Sequence, residues 1–225
     1  MTGLARSLWR RIADVAYGPL KWLFLHGWPY DLLQHCFKPA HRYLLMKKEW
    51  LAARSTAFWP LRVLDYACGS GYIAEVYRPG QYVGADINGD YVDFARGRFP
   101  DHEFISLPES GFTPFPPGSF DAVLLLSTLH HLSNDDLDRV LDESRRLLGP
   151  RGRLLVIDTL PAADQRSWVI RFMIRMDIGE WFRTAAEMES AFASRFEVES
   201  AQRLNSVPDG SGYESMAYVL RPRGE

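Results

Sequence analysis

The chain has 225 residues, 47% hydrophobic and 24% charged, with a formal net charge of −2, a composition that excludes disordered, collagen-like and repeat architectures and a length that allows one main domain with an appendage. Cys36 and Cys68 stand far apart and without CxxC spacing, which excludes a disulfide framework and a cysteine zinc site. No run of about eighteen apolar residues occurs, so neither a spanning helix nor a secretory signal is expected, and a reducing, cytoplasmic setting is.

The charge is unevenly placed. Residues 1–60 hold nine Lys or Arg against three acids, and five of the seven tryptophans, so this basic aromatic segment and the acidic remainder are expected to do different work. Within it Leu4, Leu8, Ile12 and Val15 recur at helical spacing up to Gly18 and Pro19, and a second helix is predicted over 40–54, behind Pro39. From Leu61 the pattern changes to short apolar runs, RVLDYA, QYVGADI, HEFIS, FDAVLLLS and GRLLVID, which read as five buried strands. Helices are predicted between them at 88–98, closed by Pro100, and at 134–148, capped by Ser133 or Asn134 and stopped by Gly149 and Pro150. This alternation predicts a parallel sheet covered on both faces. Helices at 163–176 and 184–193 follow, and then FEVESA and ESMAYVLR, separated by Pro208, Asp209, Gly210 and Gly212, read as a hairpin that closes the sheet.

The segment VLDYACGSGYIA, residues 63–74, runs an apolar strand into a turn of small residues and then a helix. Gly69 and Gly71 let a ligand approach the backbone at a helix N-terminus. As GxGxxA it also fits a dinucleotide fingerprint with Asp86 as the ribose acid, so a nicotinamide-dependent oxidoreductase is one alternative. Asp65 argues against it, because a carboxylate at the end of the first strand repels a pyrophosphate and welcomes a cation. S-adenosylmethionine carries a sulfonium and an amino group, has no phosphate, and offers a ribose diol that Asp86 can bind.

With VLDYACGSG, VGADI, FPPGSFDAVLLLSTLHHL and LLGPRGRLLVID in this order, the chain resembles the class I S-adenosylmethionine-dependent methyltransferases, especially their small-molecule branch, over about residues 61–160. The resemblance implies a Rossmann-like, doubly wound α/β fold of seven strands with an antiparallel last strand. It also implies an N-terminal helical lid over 1–60 and a core over 61–225, with a substrate-pocket insert at about 161–195. By position, Asp65, Ala67, Gly69 and Gly71 line the methionine end, Asp86 takes the ribose hydroxyls, Glu109 and Ser110 the adenine, and Ile87 and Ser127 complete the cofactor set. The family has glycine where this chain has Ala67, a change that is tolerable if the backbone keeps negative φ there. That departure motivates a second alternative, a non-catalytic cofactor-binding scaffold.

His130 and His131 lie just past the fourth strand, where open α/β sheets place their active sites, and are the candidate general bases. Asp158 and Thr159 face the same crevice, and Asp177 and Arg183 are expected to pair across GEWF. Trp168, Phe172, Met173, Met176, Trp181 and Phe182 offer an apolar wall. The expected reaction is methyl transfer to an oxygen, or secondarily a carbon or nitrogen, of a small hydrophobic or natural-product acceptor. The basic segment has three open uses: a lid, a contact with anionic lipid that would make the protein membrane-peripheral, or a dimer contact in place of a monomer. No nucleic-acid partner and no metal are expected.

Overall fold

The computed structural model describes residues 38–55, 62–177 and 179–224. In chain order the strands are β1 (Val63–Tyr66), β2 (Tyr82–Asp86), β3 (Glu103–Ser106), β4 (Phe120–Leu126), β5 (Leu148–Thr159), β6 (Phe196–Asn205) and β7 (Glu214–Pro222). The helices are α1 (Lys38–Ser55), α2 (Gly89–Arg98), α3 (Asn134–Leu147), α4 (Trp168–Met176) and α5 (Ala185–Phe192).

All seven strands join one sheet in the order β3-β2-β1-β4-β5-β7-β6. Strands β1 to β5 pair parallel, and β7 runs antiparallel between β5 and β6, as the terminal hairpin required. Both faces of the central strands are covered, which is why Val123 to Leu126 and Leu154 to Thr159 are uniformly buried and read as continuous apolar runs. One core layer gathers Leu64, Val123, Leu125, Leu137, Leu141 and Phe192; the other gathers Leu44, Leu51, Val92, Phe104, Leu124 and Ile157. The strand order reverses between β1 and β4, the point beyond whose carboxyl ends open α/β sheets place their ligand crevice.

Helix starts follow their caps. Asn88 Oδ1 accepts from Asp90 N, Ser133 Oγ from Asp136 N, and Thr184 with Glu187 forms a reciprocal capping box, each contributing about 1 kcal/mol. Two expectations change. The helix expected after the glycine turn is a single 3-10 turn, Ala74–Val76, so no helix N-terminus stands behind that turn. The helix expected from 163 begins at Trp168 behind Ser167, because the Gln165 amide is committed to the Leu160 and Glu214 carbonyls and pins the preceding segment to the sheet. The helical repeat at 4–15, Cys36 and most of the basic segment lie outside the described residues. Among the described residues no helix is long and apolar enough to cross a membrane.

Candidate active site

The crevice has two walls. On the first, β1 ends at Tyr66 and the chain turns sharply, Ala67 N and Cys68 N both donating to the Ala85 carbonyl at the end of β2 (2.7 and 3.1 Å). That shared acceptor forces the left-handed region: Ala67 has φ +65, with Gly69 at +54 and Gly71 at +72. The negative φ expected at Ala67 is therefore incorrect, and its methyl is carried at a conformational cost of about 1–2 kcal/mol. Gly71 is required twice over, since a Cβ there would lie 2.8 Å from Phe104 Cε1 and 2.9 Å from Ala95 Cβ. At Gly69 a Cβ would meet nothing within 4 Å, so this face of the turn is open.

Asp86 is anchored beside that opening. Its Oδ2 accepts from Gly69 N and its Oδ1 from Asn88 N, both at 2.8 Å. Burial raises its pKa, only partly offset by the N–H groups of Asn88, Gly69 and Ile87. Ile87 next to it is 64% exposed. Leu107 N donates to Asp86 O, which draws the exposed turn bearing Glu109 and Ser110 to the same end of the sheet. Asp65 is deeper: 2% exposed, it accepts a 2.7 Å bond from Tyr82 Oη, and burial pushes its pKa up to about 7. An anchored carboxylate, an open glycine face and an exposed apolar side chain suit a neutral adenosyl group carrying a diol. Three buried carboxylates, Asp65, Asp86 and Asp158, disfavour a pyrophosphate.

On the second wall β4 ends at Ser127, whose φ is +58. Its hydroxyl donates to Tyr43 Oη (3.0 Å) and accepts from Lys47 Nζ (3.1 Å). Lys47 also donates to Tyr72 Oη, and Thr159 Oγ1 donates to Tyr43 Oη (3.1 Å). Lys47 is 4% exposed, and burial lowers its pKa to about 7 against the pull of Asp65 and Asp158. Sequence reasoning missed Tyr43, Lys47 and Tyr72. The available signal was Tyr43 and Lys47 at i, i+4, one face of a helix whose charge drew attention only as a patch.

His130 sits below. Its Nδ1 bonds Asp158 Oδ1 at 2.6 Å, while Asp158 also accepts from the backbone N–H of Leu129, His130 and Thr159. Burial lowers the His130 pKa, but the Asp158 charge outweighs it and the value ends above that of a free histidine. Desolvation and then the neighbouring His130 push His131 down to about 4. The His130 ring stacks on Phe182, centroids 4.8 Å apart, and Gly179 is needed to pass it. The expected Asp177–Arg183 pair is absent among the described residues. Arg183 instead donates to the Leu129 and Leu132 carbonyls and Asn134 Oδ1, acceptors that converge on its planar fork at the end of the 3-10 turn, and Asp177 accepts from Gly179 N. His130, His131 and Asp177 each bring a ligand atom within 4.8 Å of the others, but His130 Nε2 to Asp177 Oδ1 is 4.0 Å, wider than the roughly 3.3 Å between ligands of tetrahedral zinc.

The model of a family described as "Methyltransferase domain" matches residues 64–156. The chain is 34% identical over 156 residues to a fatty-acid O-methyltransferase of Mycolicibacterium smegmatis, covering 64% of this chain and 50% of that one. It is 30% identical over 167 residues to the ubiquinone/menaquinone biosynthesis C-methyltransferase UbiE of Desulfotalea psychrophila, covering 70% and 67%. The chain thus spans half the length of the first relative and about two thirds of the second. Among solved structures, the PH0226 protein of Pyrococcus horikoshii OT3 superposes with a TM-score of 0.63 over 82% of this chain and 92% of its own, at 23% identity.

Proposed function

The chain belongs to the class I S-adenosylmethionine-dependent methyltransferases, and from that premise we propose that it passes a methyl group to an oxygen of a small hydrophobic acceptor. The observation that carries this reading is the open face over Gly69 beside the anchored Asp86 carboxylate, facing a wall of hydroxyls and apolar side chains across the crevice. When bound, the cofactor supplies an electrophilic methyl on a sulfonium. The residues of the chain bind and orient. Asp86 takes the ribose diol, with Ile87 against the adenine and Glu109 and Ser110 at its edge. Asp65, with Ala67, Gly69 and Gly71, surrounds the methionine end, and Ser127 closes the pocket from β4. Asp158 fixes His130 with Nδ1 toward itself, which leaves Nε2 as the nitrogen that can hold an acceptor proton. Support for oxygen as the receiving atom comes from the relative named as a fatty-acid O-methyltransferase. Support for an apolar acceptor comes from Trp168, Val169 and Phe172 of α4, all exposed; Met173, next along the helix, accepts from Tyr213 Oη, and the Tyr213 ring is 5.2 Å from that of Tyr43.

Titration calorimetry of S-adenosylhomocysteine against NAD and NADP tests the reading. Binding of the first alone is the expected result, and Asp86→Ala should weaken it by about 10- to 100-fold, the worth of charge-assisted hydrogen bonds to a diol. Nicotinamide binding, or unchanged affinity in the variant, would sink it.

A further inference from the structure

The two sides of α4 differ sharply. Ile170 and Ile174, one turn apart, are 1% and 5% exposed, so this side faces the protein, and Ser167 Oγ caps the start of the helix by accepting from Ile170 N. The opposite side carries Trp168, Arg171, Phe172 and Arg175, the i, i+3, i+4 and i+7 positions of one helix face. Trp168 is 75% exposed and Phe172 58%, with Val169 beside them at 39%. Neighbouring large apolar side chains left together in water mark a contact surface, where single ones would not.

The charge on this face has one sign. Helix α4, WVIRFMIRM, holds two arginines and no acid. Arg96 of α2 and Arg139 of α3 are each answered by an acid one turn away, Asp93 and Asp136. Arg171 instead donates to the neutral Arg166 carbonyl, and Arg175 has no ion-pair partner among the described residues. The nearest acid in sequence, Asp177, turns toward His130, 4.0 Å from its Nε2.

That charge selects the occupant. A second copy docked across a two-fold axis would set arginines against arginines. The basic segment, nine Lys or Arg against three acids over residues 1–60, would repel them as well. An anionic lipid surface accepts both components: rings enter the boundary between headgroups and acyl chains, and guanidinium groups lie at the phosphates with their stems along the apolar surface. We propose that the Trp168–Phe172 face of α4 is a membrane-docking surface, seated on anionic phospholipid through Arg171 and Arg175. The helix is already folded against the protein, so no ordering of the segment opposes binding. The chain as a whole carries −2, so the attraction is local, felt within a Debye length of roughly 8–10 Å. Met173 leads from this helix to Tyr213 and Tyr43, which puts the docking surface on the acceptor side of the crevice; the docking itself is independent of the methyl-transfer reading.

The test floats the full chain with vesicles of phosphatidylcholine alone and of equal parts phosphatidylcholine and phosphatidylglycerol. It should partition onto the mixed vesicles at least about tenfold more strongly, about fivefold for each arginine at the surface, and high salt should erase the preference. Arg171→Gln with Arg175→Gln should reduce partitioning onto the mixed vesicles to the phosphatidylcholine level. Trp168→Ser with Phe172→Ser should lower it by about tenfold or more, and because both side chains face water the denaturation midpoint should match the parent's. Equal partitioning of the unaltered chain onto the two kinds of vesicle, or none onto either, overturns the inference and needs no variant. Parent-like partitioning by both double variants would put the lipid contact elsewhere in the chain and overturn it too. Sedimentation without lipid covers the remaining occupant: a dimer that Trp168→Ser with Phe172→Ser dissolves would assign the face to a second copy, against the proposal.

Discussion

The two walls of the crevice are built by different means. The β1–β2 wall is backbone: a turn held in left-handed conformation by amides that converge on Ala85 O, and one carboxylate tied to two N–H groups. The β4–β5 wall is side chains, with Lys47 bonded to Ser127 80 positions away and Tyr43 to Thr159 116 positions away. A ligand common to a whole family can be held by main-chain geometry, whereas a variable acceptor calls for groups that one substitution can change. Damage to the second wall away from Ser127 should therefore cost stability or acceptor binding while leaving the cofactor untouched.

The harshest test is Asp158→Ala, which strips the Leu129, His130 and Thr159 amides and the His130 ring of their common acceptor. A loss of about 3–5 kcal/mol in a denaturant titration is expected, because several buried N–H donors are left without an acceptor. S-adenosylhomocysteine affinity should stay within about threefold. If affinity falls with stability, the walls are one unit and the contrast fails.

Next in size is a pH effect where the walls touch. Asp65 binds its proton more tightly folded, with its pKa raised by burial to about 7, so it should withdraw stability as pH rises from about 4 to 7. Lys47 is lowered by burial to about 7, so it should withdraw stability as pH falls from about 10 to 7. Both penalties act near neutrality, each of the order of a few kcal/mol at about 1.4 kcal/mol per pH unit. Asp65→Asn should remove the acid-side slope, and Lys47→Met the alkaline one, leaving the Met variant at least as stable as the parent at pH 7. Denaturation midpoints at pH 5, 7 and 9 check both. A clearly less stable Met variant would make Lys47 a structural residue.

The same contrast decides what the sequence could disclose. The seven strands were legible because buried parallel strands leave unbroken apolar runs and the hairpin carries its own turn residues. The glycine turn and its neighbouring acid were legible because backbone geometry writes itself locally, as glycines at 69 and 71 and an acid at the end of the next strand. Lys47, Tyr43 and Tyr72 were not, since nothing within a window of sequence says that a lysine of one helix reaches a serine after the fourth strand. The Asp177–Arg183 pairing failed for a related reason: opposite charges six positions apart implied a bond, but the fold offered Arg183 backbone carbonyls instead.

Gly71→Ala acts on the cofactor wall and should cost about 2 kcal/mol from positive φ and crowding together, its methyl driven against Phe104 and Ala95. Here stability and S-adenosylhomocysteine affinity should fall together, the opposite of the Asp158 result. Separate behaviour would mean that the turn is not the cofactor's seat.

The smallest effect sharpens the contrast most. Ala67 is half-buried with φ +65, the position at which the resembling family carries glycine. Ala67→Gly relieves about 1–2 kcal/mol of strain in the folded chain but frees the unfolded chain by about 0.5–1 kcal/mol, so a net gain of about 0.5 kcal/mol is expected in denaturant midpoints. The amides of Ala67 and Cys68 keep their shared acceptor in the variant, so cofactor affinity should move by less than about twofold. A net loss of stability would mean that the alanine methyl makes a contact that outweighs its strain, and this wall would then depend on side chains as the other does.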